Sequence, residues 1–156
     1  MSGFTVEIEG FDEVIKQLQK LEDRVKRREL LKIFRRQAEP VKRVMAAQAP
    51  RANRTVSYHR DNSIKYTPGN LKRSMKKFTG KSEDYPNIQV GPQAKKAEGS
   101  GYYGYFVAYG TKRIRRKNNF IKRTDSLVSE IIGDRISGEL KKYLEREAKK
   151  LGFENR

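Results

Sequence analysis

The chain has 156 residues, enough for one core but not two, and its 35% hydrophobic and 35% charged residues predict a thin core under a large solvated or partner-covered surface. Its 36 lysines and arginines against 19 acids leave a net charge of +17, which suits a nucleic acid or an acidic protein partner. The absence of cysteine excludes disulfides and thiolate metal sites and is compatible with a reducing compartment.

Met1-Ser2-Gly3 leads into polar alternation, so no signal peptide is expected, and no window reaches the roughly 20 apolar residues of a membrane span. A soluble protein follows. Phe4, Val6 and Ile8 alternate with polar residues up to Gly10, which predicts a half-exposed strand. From Asp12, an N-cap candidate, Val14, Ile15, Leu18, Leu21 and Val25 recur at helical spacing. A second helical stripe, Leu30, Leu31, Phe34, Ala38, Val41, Val44 and Met45, predicts a helix over 29–47. Pro40 lacks the amide donor and should kink that helix or split it in two. Its other face, Arg27, Arg28, Lys32, Arg35, Arg36, Lys42 and Arg43, reads either as a solvated face or as a binding surface.

After Ala49-Pro50, residues 51–66 are polar and aperiodic, longer than compact domains usually allow, and predict an extended arm over 51–68. The lone His59 sits there among Tyr58, Arg60 and Asp61, a solvated setting rather than a metal or catalytic one. Two short strands are expected at 76–81 and 87–91, followed by a glycine-containing loop over 92–101.

Residues 102–121 concentrate aromatics and then positive charge. Tyr102, Tyr103, Tyr105, Phe106 and Tyr109 offer large rings, most with a hydroxyl that can hydrogen-bond, and their period fits a strand or a short helix equally. Gly110-Thr111 breaks the backbone conformation, the basic loop Lys112, Arg113, Arg115, Arg116, Lys117 follows, and Phe120-Ile121 return to apolar surroundings. Thr124 or Asp125 is expected to cap a last helix of about 25 residues. Its stripe is Leu127, Val128, Ile131, Ile132, Ile136, Leu140, Tyr143, Leu144 and Leu151, with Gly133 and Gly138 marking a bend or a close crossing. The fold class expected is α+β: a small antiparallel or mixed sheet packed against a long kinked helix and a C-terminal helix, with long mobile loops, in a single domain over 1–156.

The positive excess is not spread evenly. Residues 51–81 hold nine lysines and arginines against one acid, residues 102–124 seven against none, and residues 23–50 nine against three, whereas residues 125–156 balance. Such concentration favours a basic surface over general solubilisation. Catalysis is not expected: there is one loop histidine, no Gly-x-Ser-x-Gly elbow, no phosphate-cradling Gly-x-x-x-x-Gly-Lys run and no carboxylate cluster within the basic segments.

Tyr105-Phe106-Val107-Ala108-Tyr109-Gly110-Thr111, followed by Asn119-Phe120-Ile121, resembles a pattern of the tailed-bacteriophage head-tail joining proteins, the neck or tail-completion proteins of long-tailed phages. That family has a tyrosine, an aromatic-aliphatic pair, often a glutamate, an aromatic-Gly-Thr, and then a phenylalanine opening the last helix. Upstream, Ala49-Pro50 and Thr67-Pro68-Gly69-Asn70-Leu71-Lys72-Arg73-Ser74-Met75 are similar to the family's Ala-Pro and Thr-Gly-x-Leu-x-x-Ser-aliphatic segments. Ala108 stands where the glutamate is usual, Pro68 is inserted, and the link before Thr67 is longer.

The resemblance implies a structural virion protein, made in the host cytoplasm, that forms a sixfold or twelvefold ring between head connector and tail tube. It implies contacts with connector, adaptor or stopper proteins on one side and tail-tube or terminator proteins on the other, double-stranded DNA in the channel, no cofactor and no membrane. Tyr103, Tyr105, Phe106, Tyr109, Gly110, Thr111 and Phe120 are the expected subunit-contact residues, with the single tyrosines readable equally as core. Arg51, Arg54, Arg60, Lys65, Arg113, Arg115, Arg116 and Lys117 are expected to face DNA or an acidic partner. The alternative function is a basic nucleic-acid-binding module, ribosome- or DNA-associated, supported by tyrosines interleaved with arginines and lysines.

Overall fold

The computed structural model describes residues 23–57, 64–81, 85–94, 99–112, 115 and 117–150. The expected strand over 4–10, the first helix up to residue 22 and His59 lie outside the described residues. The architecture is α+β: helix α1 (Asp23–Gln48), helix α2 (Asn70–Arg73), strands β1 (Met75–Thr79) and β2 (Ile88–Pro92), helix α3 (Gly104–Tyr109) and helix α4 (Phe120–Lys150). The two strands pair antiparallel as one small sheet, and the bond from Gly80 N–H to the Asn87 carbonyl, 3.0 Å, closes the hairpin.

Helix α1 runs unbroken through Pro40 as a single 26-residue element. A proline inside a helix costs about 3 kcal/mol, because its missing amide strands one carbonyl. Burial on either side offsets that cost: Ile33 and Ala38 are buried before Pro40 and Met45 after it.

The described chain divides into two compact units, each with its own core. One comprises residues through Ala38, Thr79–Gln89 and those from Ser129 onward. Its core sets Ile33, with Leu30 and Phe34, against Ile136, Leu140, Tyr143 and Leu144, and the Arg36 guanidinium donates to the Glu139 carboxylate at 2.8 Å on the rim. The Tyr143 hydroxyl is buried with no hydrogen-bond partner among the described residues, although the Arg146 guanidinium lies 5.6 Å from its ring centre.

The other unit comprises Glu39–Phe78 and Val90–Val128. Met45, Tyr66, Leu71, Met75, Tyr103, Ala108 and Phe120 form its core, flanked by Val56, Ile64, Val90, Val107 and Ile121. Segment 51–66, expected to be an aperiodic loop, is tied at its root by an antiparallel bridge. Val56 and Tyr66 exchange backbone bonds of 3.1 and 2.8 Å, and Ser57 Oγ donates to the Ile64 carbonyl. Tyr66 is thereby driven inward, 1% exposed, with its ring 4.9 Å from that of Tyr103.

Helix α4 corrects three expectations. It starts at Phe120 and runs for 31 residues, so neither Thr124 nor Asp125 is its cap. The Thr124 hydroxyl instead donates back to the Phe120 carbonyl at 2.8 Å within the helix. Its buried stripe begins Phe120, Thr124, Val128, Ile132, so Leu127 and Ile131 are left 53% and 54% exposed. Residues spaced by four precess around a 3.6-residue helix, and the stripe turns away from those two side chains. Gly133 and Gly138 have no atom within 4 Å of where a Cβ would stand, so neither marks a close crossing among the described residues.

Gly133→Ala and Gly138→Ala should therefore each stabilise the protein by about 0.5–1 kcal/mol through helix propensity alone. Tyr143→Phe, which removes a buried unpaired hydroxyl, should be neutral or mildly stabilising. Chemical denaturation of the three variants tests both, and a clear loss of stability in any of them would contradict these environments.

Candidate functional site

Helix α3 turns its small residues inward and its rings outward. Gly104 and Ala108, four apart, are buried, whereas Tyr105, Phe106 and Tyr109 remain 52%, 46% and 51% exposed. The strand-or-helix ambiguity over 102–109 thus resolves as a helix. The aromatics line up at helical spacing: Tyr105 stacks on Tyr109 at 6.3 Å, and Tyr102 meets Phe106 edge-on at 6.3 Å.

The seat beneath α3 is built by contact too close for any side chain. A Cβ on Gly104 would stand 2.8 Å from both Leu71 Cδ1 and Pro92 Cγ, and one on Gly101 would overlap Ser74 Oγ and sit 2.8 Å from Pro92 Cβ. Backbone bonds tie the same place together: Gln93 N–H to the Ser74 carbonyl, Gly101 N–H to the Gln93 carbonyl, and Gly104 N–H to the Gly101 carbonyl, at 2.9, 2.9 and 2.7 Å. The buried Asn70 amide donates to the Ser100 carbonyl at 2.6 Å and to the Tyr103 hydroxyl at 3.3 Å. Burial pushes the Tyr66 and Tyr103 hydroxyls above the usual phenol range, so both stay neutral at ordinary pH.

Asn70 is presented by a tight turn. Pro68 and Gly69 occupy its central positions, Gly69 has φ +79°, and Asn70 N–H closes it on the Thr67 carbonyl at 3.0 Å. These angles are those of a type II turn, which explains the Pro-Gly pair. At the far end of α3, Gly110 takes φ +80° while its N–H reaches the Phe106 carbonyl, and Asn118 N–H returns to the Val107 carbonyl at 3.0 Å. Asn118 is thereby held against α3.

Compared with models of known protein families, with curated proteins and with solved structures, the chain matches none.

The expected contact residues separate by burial. Tyr105, Phe106, Tyr109 and Thr111 lie at the surface with Gly110 beside them. Tyr103 and Phe120, 6% and 0% exposed, pack inside the chain's own core. Of the expected basic contacts, Arg51, Arg54, Lys65, Arg115 and Lys117 are exposed, and Arg60, Arg113 and Arg116 lie outside the described residues. Arg51 joins Lys72 and Arg73 around a cleft of about 480 Å³ floored by Ala46, Ala47 and Ala49. Lys72 and Arg73 were not expected there, and only their place in a Leu-Lys-Arg-Ser run beside a turn hinted at it.

The positive excess also separates, into cations answered by acids and cations that are not. On α1, Lys32 pairs with Glu29, and Glu39 takes Lys42 at 2.9 Å and Lys77, from β1, at 2.6 Å. By contrast Arg51, Arg54, Lys65, Lys72, Lys112, Arg115 and Lys117 form no side-chain ion pair among the described residues. Part of the α1 face is thus answered by acids of the same chain. The described residues contain no cluster of metal-ligating side chains and no helix long and apolar enough to cross a membrane.

The Lys77 and then the Lys42 ammonium hold the Glu39 carboxyl down at about 2, well below its ordinary 4.5. A carboxyl depressed on folding contributes stability that is complete above its unfolded value and is lost as pH falls through the folded one. Part of the protein's stability should therefore disappear between about pH 5 and pH 2, and Glu39→Gln should flatten that part of the profile. Asn70→Ala, which strands the Ser100 carbonyl, should cost about 1–3 kcal/mol. Urea unfolding across pH, and of N70A at pH 7, reads both.

Proposed function

We propose that this chain is a structural protein of the tailed-phage neck or tail end, one that assembles with copies of itself into a ring joining the head connector to the tail tube. The observation that carries the reading is the outward aromatic face of α3, three exposed rings on a short helix whose backbone is held by the Gly101 and Gly104 contacts. Large rings with little conformational freedom to lose are what a permanent protein contact uses at its centre. The motif that resembles the head-tail joining proteins contains this helix, and the Thr67–Met75 motif supplies the turn and the Asn70 and Ser74 bonds beneath it. The work of such a protein is adhesion, with no bond made or broken.

A second reading, binding of nucleic acid, is favoured by the cleft rimmed with Arg51, Lys72 and Arg73 and by Arg54, Lys65 and Lys117, which form no side-chain ion pair among the described residues. In a neck ring the two readings coexist, because unpaired basic loops can face DNA in the channel.

Light scattering and negative-stain imaging of the purified chain at high concentration decide the first reading: rings are expected. A chain that stays monomeric, together with a phage lacking it that still yields joined infectious particles, removes it. For the second, Arg51→Glu with Lys72→Glu should weaken binding to duplex DNA at least tenfold and lower the slope of log affinity against log salt by about 2. Submicromolar binding near physiological salt by a protein that never assembles would make nucleic-acid binding the primary function.

A further inference from the structure

Beside the basic cleft lies a second, smaller hollow. The cleft of about 480 Å³ is rimmed by Arg51, Lys72 and Arg73, and the hollow, of about 180 Å³, is walled by Val56, Tyr66, Leu71, Tyr103 and Val107. Arg51 and Gly69 line both, so the two adjoin across that pair. Among the described residues no acid lines either one, and none of the three rim cations forms a side-chain ion pair. Arg73 is also held in place: its guanidinium donates to the Thr67 hydroxyl at 2.7 Å and to the Pro68 carbonyl at 3.2 Å. A guanidinium already fixed by the turn has less freedom to lose when an anion arrives.

From this pairing we infer that cleft and hollow together receive an acidic peptide segment of a partner protein. One aliphatic side chain of the segment enters the hollow, and the carboxylates flanking it meet Arg51, Lys72 and Arg73. An apolar cavity of about 150 Å³ holds a benzene-sized group, so the hollow has room for one branched side chain. The inference goes beyond the ring reading, because a single copy suffices to bind the segment, and it takes this cleft from the nucleic-acid reading.

A nucleotide fits the pair less well. A base in the hollow would bury its ring nitrogens and exocyclic groups where the polar side chains are already engaged. The Asn70 amide donates to the Ser100 carbonyl and the Tyr103 hydroxyl, and the Thr67 hydroxyl accepts from Arg73. Tyr66 and Tyr103, both buried, present no open ring face for stacking. The alanine side chains on the cleft floor, Ala46, Ala47 and Ala49, give a peptide apolar contact and a phosphate backbone no further donor. The carbonyl end of α1 at that floor opposes any anion. Its Met45 and Gln48 carbonyls are nevertheless taken by Ala49 N–H and the Arg123 guanidinium, and three whole charges outweigh a helix end of about half a charge.

The test is fluorescence anisotropy of the full chain with three labelled probes: the peptide Glu-Asp-Leu-Asp-Glu, the same peptide with serine in place of leucine, and a short DNA duplex. The leucine peptide should bind saturably, and the serine peptide about tenfold more weakly for want of the buried side chain. Arg51→Glu with Lys72→Glu should weaken the leucine peptide by about tenfold or more. Ala52, exposed at the lip of the hollow, gives a variant that leaves every charge in place. Ala52→Phe, whose ring fills the hollow, should weaken the leucine peptide by about tenfold and leave duplex binding unchanged. Thermal melting checks that both variants keep the fold, and the comparison of the two peptides needs no variant at all. Equal affinity for the two peptides, no binding of the leucine peptide, or unchanged binding of it by a folded Ala52→Phe chain overturns the inference. Duplex binding that Arg51→Glu with Lys72→Glu abolishes, with no peptide bound, returns the cleft to nucleic acid. None of these outcomes bears on ring assembly, which light scattering reads separately.

Discussion

The structure depends on the close approach of backbone at Gly101 and Gly104 to Ser74, Leu71 and Pro92. No side chain fits there, so α3 can lie flat on the turn and strand beneath it. Gln93 N–H then donates to the Ser74 carbonyl while its own carbonyl accepts from Gly101 N–H, and Asn70 completes the seat from the Pro-Gly turn. Because the inner face of α3 needs only Gly104 and Ala108, every large ring of the helix is released to the outside. Overpacking of a filled site costs about 1–3 kcal/mol, so the seat is specified by what the sequence omits. An exposed aromatic surface is thus the geometric complement of a glycine-lined seat.

Electrostatics divide along similar lines. Glu29, Glu39 and Glu139 draw in cations from α1 and, through Lys77, from β1, and these pairs are exposed enough that each contributes modestly. Cations without a side-chain ion pair among the described residues stand on connecting segments, such as Arg51 and Lys65, and also on α4, such as Arg135 and Lys141. Exposed charge acts on encounter rate and on choice of partner more than on folding.

Much of this was legible in residue order. The stripe through Leu30, Phe34, Ala38 and Met45 predicted α1, the strand pair fell within a residue or two of its expected limits, and the α+β class follows from both. What escaped were decisions made by distant partners. Tyr66 looked like the polar end of a loop because the residues that bury it, Met45 and Tyr103, lie 21 and 37 positions away. Leu127 and Ile131 looked like core because apolar character marks candidates for burial without saying which of two adjacent faces the rest of the molecule covers. For 102–109 a decisive cue was present, the small pair Gly104 and Ala108 at one helical turn, but the aromatics around it fit either period. Tyr105 and Tyr109 are exposed because their own helix turns them out. Tyr103, one position before α3 begins, went to the interior.

The bridge between Val56 and Tyr66 has an implication for engineering and for divergence alike. Its two backbone bonds fix where the chain departs and where it re-enters. Closing a connection between two such points grows costlier only with the logarithm of its length, about 0.6 kcal/mol for each doubling. A peptide tag or a short foreign epitope grafted inside that staple would leave the tyrosine core undisturbed, which makes the position a natural handle for labelling the protein in place.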